Sequence, residues 1–436
     1  MTFTQMKEDR STKLLEVAER AKIPNFQLRG LASLIDEAAL IRSFTRLRAN
    51  AAVGVDGVTK AEYGKDLENN IKALYERMRA WRWRHQPIKR VHIPKGQGKT
   101  RPIGISCTED KIVQGALHEV LETVYEPIFH RDSYGFRPGR SAHDATRKLN
   151  EVLDSGGARW ILEFDIESFF DSIDRKMLQE MLWERVADKS LRRLVGKCLH
   201  VGILEGYEYS EPEEGTVQGS VLSPILGNIY LHHVLDVWFE RDVRPRLRGK
   251  AHIIRYADDG VLAFERREDA ERVMRVLHAR FAKYGLRLHP DKTRLIHFAP
   301  PDDAGGGGSR ETFDFLGFTY YWRRTRRGRW RPGVTTRKAS LRRFVTNVAD
   351  WCRRHRHLPV KEQRAALCQK INGHFNYFGV NGNARALARV VHTVESIWRK
   401  WLRRRSQRTR ITWHRFKTII LKAFPLPRPT IRASIW

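Results

Sequence analysis

Two adjacent aspartates interrupt an otherwise apolar run, IIRYADDGVLAF, at residues 253–264. Isoleucine, tyrosine, valine, leucine and phenylalanine favour pleated, half-buried strands, and Gly260 directly after the acids favours a turn. The run therefore predicts a β-hairpin with Asp258 and Asp259 at its tip. Neighbouring carboxylates repel each other and are costly to bury, so the tip calls for a compensating cation. Taken alone, the run also fits an ordinary Asp-Gly hairpin turn.

The length and the cysteine content restrict the class of protein. A chain of 436 residues is long enough for two or three domains. No stretch reaches about 18 uncharged apolar residues, and the N-terminal residues lack an apolar signal core, so we expect neither a membrane span nor secretion. The cysteines are widely spaced, which argues against a zinc site or a disulfide framework and favours a reducing compartment. They are Cys107, Cys198, Cys352 and Cys368.

The positive charge is concentrated at the C-terminal end. Residues 321–436 hold 30 Lys and Arg against 3 Asp and Glu, whereas residues 1–320 hold 51 against 47. Runs such as RRTRRGRWRP and WRKWLRRRSQRTR mix arginine with tryptophan, a combination suited to phosphate contact and base stacking. The segment therefore predicts binding to a polyanion, with a merely solvated basic face as the alternative.

The order of predicted elements gives an α+β fold. Strands are expected at 88–95, 101–106, 159–166, 253–264, 286–298 and 313–322, with helices between them and from 337 onward. The order from 159 to 298 resembles a split β-α-β unit, which would bring Asp165 to Asp258 and Asp259. Three converging carboxylates suit Mg²⁺. Two such ions about 3.5–4 Å apart can activate a hydroxyl and stabilise a leaving pyrophosphate.

A series of motifs carries a family resemblance. In chain order they are AAVGVDGVT, IPKGQGKTRPIGIS, SYGFRPGRSAHDA, FDIESFFDSID, TVQGSVLSPILGNIYL, YADD, GLRLHPDKT, FDFLGF and GHFNYFGV. The series resembles the reverse transcriptase/maturase proteins encoded by bacterial group II introns, over roughly residues 45–430. The resemblance implies a right-hand polymerase with fingers, a split β-α-β palm and a basic all-α thumb, the maturase domain. The expected domains are 1–155 (N-terminal extension and fingers), 156–325 (palm) and 326–436 (thumb).

The resemblance also implies a metal site. Asp165 and Asp258 would ligate two Mg²⁺ ions, with Mn²⁺ as an alternative, and the backbone carbonyl of Ile166 would add a ligand. Asp259 matches the third carboxylate of the family. Lys292 matches a lysine proposed to protonate the leaving pyrophosphate, and a solvent-exposed lysine at a strand end is an equal alternative.

Further matches concern the nucleotide. Lys95 and Arg101 correspond to the cations that hold the triphosphate, with Arg90 or Lys89 assisting, because charge-assisted contacts to phosphate are what such a site needs.

Three other matches line the nucleotide and template. Phe170 corresponds to the steric gate that crowds a ribose 2′-hydroxyl and so favours dNTPs, with a core phenylalanine as the alternative. Gln218 and Gly219 match the loop beside the nucleotide, although Val217 stands where the family usually has proline. Gly317 would allow the backbone to approach the primer, and the alternative is a bulge in a packed strand.

The expected activity is RNA-directed DNA synthesis by an intron protein that also binds its intron RNA and assists splicing and mobility. Expected partners are the intron RNA, an RNA template with a DNA primer, and dNTP, without a membrane, and with a homodimer left open. The basic residues expected to contact RNA include Arg403, Arg404 and Arg405. No paired Cys/His pattern follows the thumb-like block, so we expect no endonuclease module. The expected location is the bacterial cytoplasm, at the nucleoid when bound to a DNA target.

Two alternatives remain open from the sequence. One is a domesticated relative that uses the same chemistry in host defence or DNA repair. The other is an RNA-binding splicing factor with a vestigial polymerase.

Overall fold

The computed structural model describes residues 3–96, 99–206, 208–210, 214–216, 218–301, 310–406 and 410–436. The side chains of residues 3–11, 95, 96 and 99 lie outside this description. The α-helices are α1 (Phe3–Ala21), α2 (Glu37–Arg46), α3 (Lys60–Tyr63), α4 (Leu67–Arg79), α5 (Thr108–Tyr125), α6 (Ala142–Asp154), α7 (Arg175–Arg185), α8 (Lys189–Leu199), α9 (Ser223–Leu231), α10 (Arg267–Ala282), α11 (Lys338–Arg354), α12 (Val360–Phe378), α13 (Ala384–Arg403) and α14 (Trp413–Arg415). The strands are β1 (Ile88–Gly96), β2 (Lys99–Ile105), β3 (Trp160–Phe164), β4 (Ile203–Glu205), β5 (Glu208–Ser210), β6 (Ala251–Tyr256), β7 (Asp259–Phe264), β8 (Arg294–His297), β9 (Phe313–Phe315), β10 (Phe318–Arg324) and β11 (Trp330–Thr336). The predicted mixture of helix and sheet is confirmed.

One compact unit comprises Met1–Arg140, Phe164–Leu247 and Arg272–Thr293. Its centre is α5, which buries apolar side chains along its whole length, including Ile112, Leu117 and Leu121. A four-stranded sheet in the order β2-β1-β4-β5 belongs to the same unit. Within it β1 and β2 form the predicted antiparallel hairpin, so the side chains of β2 occupy a fixed register beside β1.

The second compact unit comprises Ser141–Glu163, Arg248–Glu271 and Arg294–Trp436. Its four-stranded sheet has the order β6-β7-β3-β8 and includes the predicted hairpin, β6 and β7. The Arg159 N–H, just before β3, donates to the carbonyl of Phe264 at the end of β7 at 2.7 Å. The two neighbouring strands therefore run in opposite directions, and the carboxyl end of β3 lies at the amino end of β7.

A smaller sheet in the second unit, ordered β11-β10-β9, corrects three expectations. The single strand expected at 313–322 is a hairpin, because Leu316 (φ 49°) and Gly317 (φ 77°) adopt left-handed conformations that reverse the chain. The segment from 326 is not wholly helical, since Trp330–Thr336 pairs with β10. The strand expected at 286–298 is also wrong in extent, because only Arg294–His297 is a strand and Leu288 forms an isolated bridge with Ile166.

The basic C-terminal helices share an apolar core within the second unit. Leu387, Val390, Val394 and Trp398 recur on one face of α13 at helical spacing and are fully buried. They pack with residues of α11 and α12 in one cluster. Burial of this face leaves the arginines of the same helices for the solvent side.

The described helices include none with the length and apolar composition needed to cross a bilayer. The division into domains at 155 and 325 stays a prediction.

Candidate active site

Ala257 and Asp258 form a two-residue turn between β6 and β7, and Asp259 is the first residue of β7, paired with Tyr256. Gly260 pairs with Arg255 within the strands, so the chain reverses before the expected Asp259-Gly260 turn. Ala257 has φ 56°, a conformation that non-glycine residues rarely adopt. Arg255 is fully buried and donates from Nη1 to the carbonyl of Ala257 at 2.9 Å. A buried guanidinium therefore holds the backbone of the turn that contains Asp258 and directly precedes Asp259.

Asp165 directly follows β3 and has its own cation. Its Oδ2 accepts a hydrogen bond from Lys292 Nζ at 2.7 Å, and its backbone carbonyl accepts from the His289 N–H at 2.8 Å. The Asp165 side chain is 33% exposed and that of Lys292 57%, so the ion pair contributes little to stability and can exchange partners. This contact distinguishes Lys292 from an unattached surface lysine.

The metal ligands named from the sequence remain predictions. Ile166 is buried and forms the bridge to Leu288 noted above. Across the described residues, no group of three or more His, Cys, Asp and Glu side chains is arranged to hold a metal ion. Asp165 is instead paired with Lys292, and Arg255 on β6 bonds to the backbone of the turn beside Asp258.

The nucleotide-site candidates come together within the first compact unit. Arg101 Nε donates to Gln218 Oε1 at 2.6 Å, and the Gly104 N–H donates to the Gln218 carbonyl at 2.7 Å. Gly219 has φ 107°, and a Cβ there would lie 2.5 Å from the Gly104 carbonyl oxygen. Glycine is therefore required at this position both by its conformation and by its contact with β2.

A cavity of about 280 Å³ lies beside these residues. Its lining includes Arg90, Asp171, Arg175 and Gln218. Partial desolvation raises the pKa of Asp171, and the positive charges of Arg90 and Arg101 oppose that rise. The cavity thus places cations and a polar amide around a space open to solvent.

Phe170 and its neighbour differ in burial. Phe169 is buried, whereas Phe170 is only partly buried, with the two ring centroids 5.1 Å apart. The Phe170 carbonyl accepts from the Thr216 N–H at 2.6 Å, and Thr216 lines the cavity. The backbone of Phe170 thus adjoins the cavity while its ring is partly exposed, and the steric-gate assignment stays a prediction.

Two predicted nucleotide residues lie outside the described part of the chain. The side chain of Lys95 is not described, although its backbone belongs to β1, and Val217 is not described at all. Lys89 is exposed on β1.

Gly317 is explained by the turn it occupies. A Cβ on this residue would lie 3.4 Å from the ring of Phe378, and the Tyr377 hydroxyl donates to the Leu316 carbonyl at 2.9 Å. The turn between β9 and β10 is thus packed against α12, which replaces the alternative of a bulge within a strand. Contact of Gly317 with a primer stays a prediction.

The three arginines at the end of α13 have different surroundings. Arg403 and Arg404 are exposed, and Arg404 lies over the Trp401 ring at 5.3 Å. Arg405 instead donates to the carbonyls of Arg356, at 2.5 Å, and Leu358. Arg405 therefore joins the end of α13 to the loop before α12 as well as adding charge.

An open depression of about 860 Å³ adjoins these arginines. Its lining residues are serines and cations: Ser396, Arg399, Lys400, Arg403, Arg404, Arg405, Ser406 and Arg410. Arg399 lies over the Trp413 ring at 4.3 Å. The depression is thus lined by cations, two of which, Arg399 and Arg404, also lie over tryptophan rings.

Comparison with known proteins decides the family. The profile described as "Reverse transcriptase (RNA-dependent DNA polymerase)" matches residues 93–320, more than half of the chain. The chain belongs to the reverse transcriptase family. The matched region contains Lys95, Arg101, Asp165, Gln218 and Asp258, and the match supports the prediction of an RNA-directed DNA polymerase.

The individual relatives of this reverse transcriptase include proteins of introns. "Protein YkfC" of Escherichia coli is 29% identical over 74% of the chain and 91% of its own length. "Group II intron-encoded protein LtrA" of Lactococcus lactis is 34% identical over 47% of the chain and 35% of its own length. An "Uncharacterized 91 kDa protein in cob intron" of Schizosaccharomyces pombe is 34% identical over 52% of the chain and 28% of its own length. The chain thus aligns with about a third of the two intron proteins, and the resemblance to group II intron proteins is confirmed.

Two residues of the candidate site of this reverse transcriptase were not predicted from its sequence. Arg255 is the single basic residue in IIRYADDGVLAF, and a charge in a run that is otherwise buried indicates a partner nearby. Asp171 lies next to Phe170 in the motif, but its position beside Arg90 and Arg101 depends on the fold.

Proposed function

We propose that the protein is an RNA-directed DNA polymerase of a group II intron that also binds the intron RNA and assists its splicing and mobility. The family match over residues 93–320 carries the proposal. The intron-encoded relatives support its second part. In this proposal the unit with β1 and β2 supplies the fingers, the β6-β7-β3-β8 sheet belongs to the palm, and α11 to α13 form the thumb.

The metal site of the proposal consists of Asp165, Asp258 and Asp259 with the Ile166 carbonyl. Support comes from the sheet, because the carboxyl end of β3 lies at the amino end of β7, where the acidic turn ends. Carboxylate and carbonyl oxygens are the ligands that Mg²⁺ prefers, and Mn²⁺ accepts the same set. Two bound ions would activate the primer hydroxyl and stabilise the departing pyrophosphate.

Lys292 has two functions in this proposal. Before the ions bind, its ammonium group neutralises Asp165 across the 2.7 Å contact. With divalent ions held by Asp165, the Lys292 ammonium group would be free to donate a proton to the leaving pyrophosphate.

The nucleotide is held by Lys95 and Arg101 at its phosphates, with Arg90 assisting. Gln218 and Gly219 form the adjoining wall, fixed on β2 by the contacts to Arg101 and Gly104. Phe170 covers the sugar and disfavours a 2′-hydroxyl. These assignments use charge-assisted contacts for the phosphates and a steric contact for sugar selection.

The C-terminal depression binds nucleic acid through its exposed cations. Arg403 and Arg404 contribute direct phosphate contacts, whereas Arg405 also bonds the end of α13 to the loop before α12. The location expected for this function is the bacterial cytoplasm, with the protein at the nucleoid when it is engaged on a DNA target.

Primer extension tests the proposal. The purified protein is given an RNA template, an annealed DNA primer, dNTPs and Mg²⁺, and a second assay follows splicing of the flanking RNA at low Mg²⁺. We expect extension that requires both dNTP and the divalent ion, and splicing that is faster with the protein. Absence of extension with retained splicing assistance would instead support the splicing factor with a vestigial polymerase.

A host-defence or repair enzyme is distinguished by the flanking RNA. Such an enzyme extends primers but does not change the splicing rate of that RNA.

A further inference from the structure

Gln114 on α5 is the centre of a buried hydrogen-bond network that the proposed chemistry does not use. Its side chain is fully buried, and all of its hydrogen-bonding capacity is engaged. The amide oxygen accepts from the Val221 N–H at 3.1 Å and from Ser220 Oγ at 3.1 Å. The amide nitrogen donates to Ser106 Oγ at 3.2 Å and lies 2.7 Å from His85 Nε2. Two donors and two acceptor positions are thus satisfied, which is the full inventory of a carboxamide.

The orientation of this amide is fixed by its neighbours. The Val221 backbone N–H can only donate, so the amide oxygen must face it. The amide nitrogen then faces His85 Nε2, which must accept, and the imidazole proton lies on Nδ1 toward the Gln86 carbonyl at 2.6 Å. Burial lowers the pKa of His85 to about 4, in agreement with this neutral form.

The network ends at the loop that lines the nucleotide cavity. Ser220 and Val221 follow directly on Gln218 and Gly219, and Gln218 contacts Arg101. One side of this loop is held by β2 through the Gly104 N–H, and the other side is held by Gln114 on α5. Loss of the Gln114 contacts would leave the loop attached at only one of these sides.

We infer that Gln114 is a positioning residue for nucleotide binding: its amide oxygen fixes the Ser220–Val221 backbone and so sets the place of Gln218 against Arg101. The inference rests on the proposed polymerase function. Gln114 itself does not line the cavity, so its effect on the nucleotide is transmitted through the loop.

The test compares two serines that each give one hydroxyl contact to the same amide. Ser220→Ala removes the contact on the loop side, and Ser106→Ala removes the contact on the opposite side. Gln114→Met removes both sides. Gln363→Met is the control for stability, because Gln363 is an equally buried glutamine of α12 whose amide bonds to Trp398, Arg356 and Leu358.

Single-nucleotide incorporation at saturating primer–template gives KM for dNTP and kcat separately. For Gln114→Met and Ser220→Ala we expect KM to rise roughly tenfold, because the loop then loses one or both of its contacts to the Gln114 amide oxygen, with kcat changed by less than about twofold. Ser106→Ala and Gln363→Met should keep KM within about twofold even where they lower thermal stability. Gln114→Met already removes the contact that Ser220→Ala removes. The double variant Gln114→Met/Ser220→Ala should therefore have the KM of Gln114→Met alone.

Hydrogen–deuterium exchange of residues 218–222 provides a readout that does not depend on catalysis. Exchange should be faster in Gln114→Met and Ser220→Ala than in the unsubstituted protein, and unchanged in Gln363→Met. If the unsubstituted protein shows no polymerase activity, the proposed function is refuted. The exchange measurement still shows whether Gln114 fixes the Ser220–Val221 backbone. Unchanged exchange in Gln114→Met, an unchanged KM in an active Ser220→Ala variant, or an equal rise of KM in Ser106→Ala would overturn the inference.

Discussion

The three consecutive arginines Arg403, Arg404 and Arg405 should separate into two functional classes. Arg405 donates to the carbonyls of Arg356 and Leu358, and both carbonyls also accept from Gln363. Arg405→Met therefore removes two bonds without leaving either carbonyl unpaired. Since the side chain is exposed, we expect a loss of about 1 kcal/mol in the free energy of unfolding, less than the roughly 1.5–3 kcal/mol typical of a hydrogen bond that involves a charged group.

Arg403 and Arg404 should affect nucleic-acid binding instead. If each contacts one phosphate, Arg403→Met/Arg404→Met should reduce the slope of log K against log salt by about 1.4 for single-stranded RNA, and by about 1.8 for a duplex if the coefficient known for B-DNA applies. The unfolding free energy should change by less than about 0.5 kcal/mol, as for other exposed residues. Fluorescence anisotropy with labelled RNA at several salt concentrations gives the slope, and urea unfolding gives the stability.

Two results would refute this reasoning. One is a slope change in Arg405→Met equal to that of the double variant, which would make Arg405 a phosphate contact of the same kind. The other is a loss of stability in the double variant comparable to that of Arg405→Met.

Three further outcomes follow from the site. Phe170→Ala should raise incorporation of rNTP relative to dNTP by at least about tenfold in kcat/KM, because the ring no longer crowds the 2′-hydroxyl; an unchanged ratio would favour the core alternative. Lys292→Met should slow extension while changing the unfolding free energy by less than about 1 kcal/mol, since its pair with Asp165 is solvent-exposed; an unchanged rate would make Lys292 a surface lysine. Burial raises the pKa of Asp110 to about 7, so in the folded state this carboxyl keeps its proton from about pH 4 to 7, where the unfolded chain loses it, and its own contribution to stability should fall as pH rises through that window. Because the lowered pKa of His85 opposes this trend below about pH 6.5, the test is the difference in unfolding free energy between the unsubstituted protein and Asp110→Asn, which urea titrations should show to fall from pH 4 to 7.

Sequence patterns predicted the elements whose periodicity is unambiguous. The hairpin at 253–264 and the pair formed by β1 and β2 have strong strand residues on both sides of a polar break, and both are present, although the chain reverses at Ala257 and Asp258 rather than at Asp259 and Gly260. The hairpin at Leu316 and Gly317 was missed because FDFLGFTYYW is aromatic throughout and Leu-Gly is a weaker turn signal than Asn-Gly or Asp-Gly. The strand at Trp330–Thr336 was missed because its stability comes from pairing with β10 rather than from its own basic sequence.

Residues of the candidate site could be predicted from the sequence where they belong to a recognisable motif. They could not be predicted where their role depends on which residues the fold brings into contact. Asp165, Asp258 and Gln218 stand in recognisable motifs. Gln114 carries no local signal, because a glutamine on a helix is ordinarily exposed and only the fold brings Val221 to its amide. Likewise, a run of identical arginines does not show that Arg404 lies over a tryptophan ring whereas Arg405 donates to backbone carbonyls.

Mn²⁺ binding in a complex with a chain-terminated primer, RNA template and dNTP tests the central claim most directly, that Asp165 and Asp258 share divalent ions. Electron paramagnetic resonance should count two bound ions per complex in the unsubstituted protein. Asp165→Asn and Asp258→Asn should each lose at least one of these ions and all primer extension while retaining primer–template affinity. Two bound ions and undiminished extension in either variant would contradict the account.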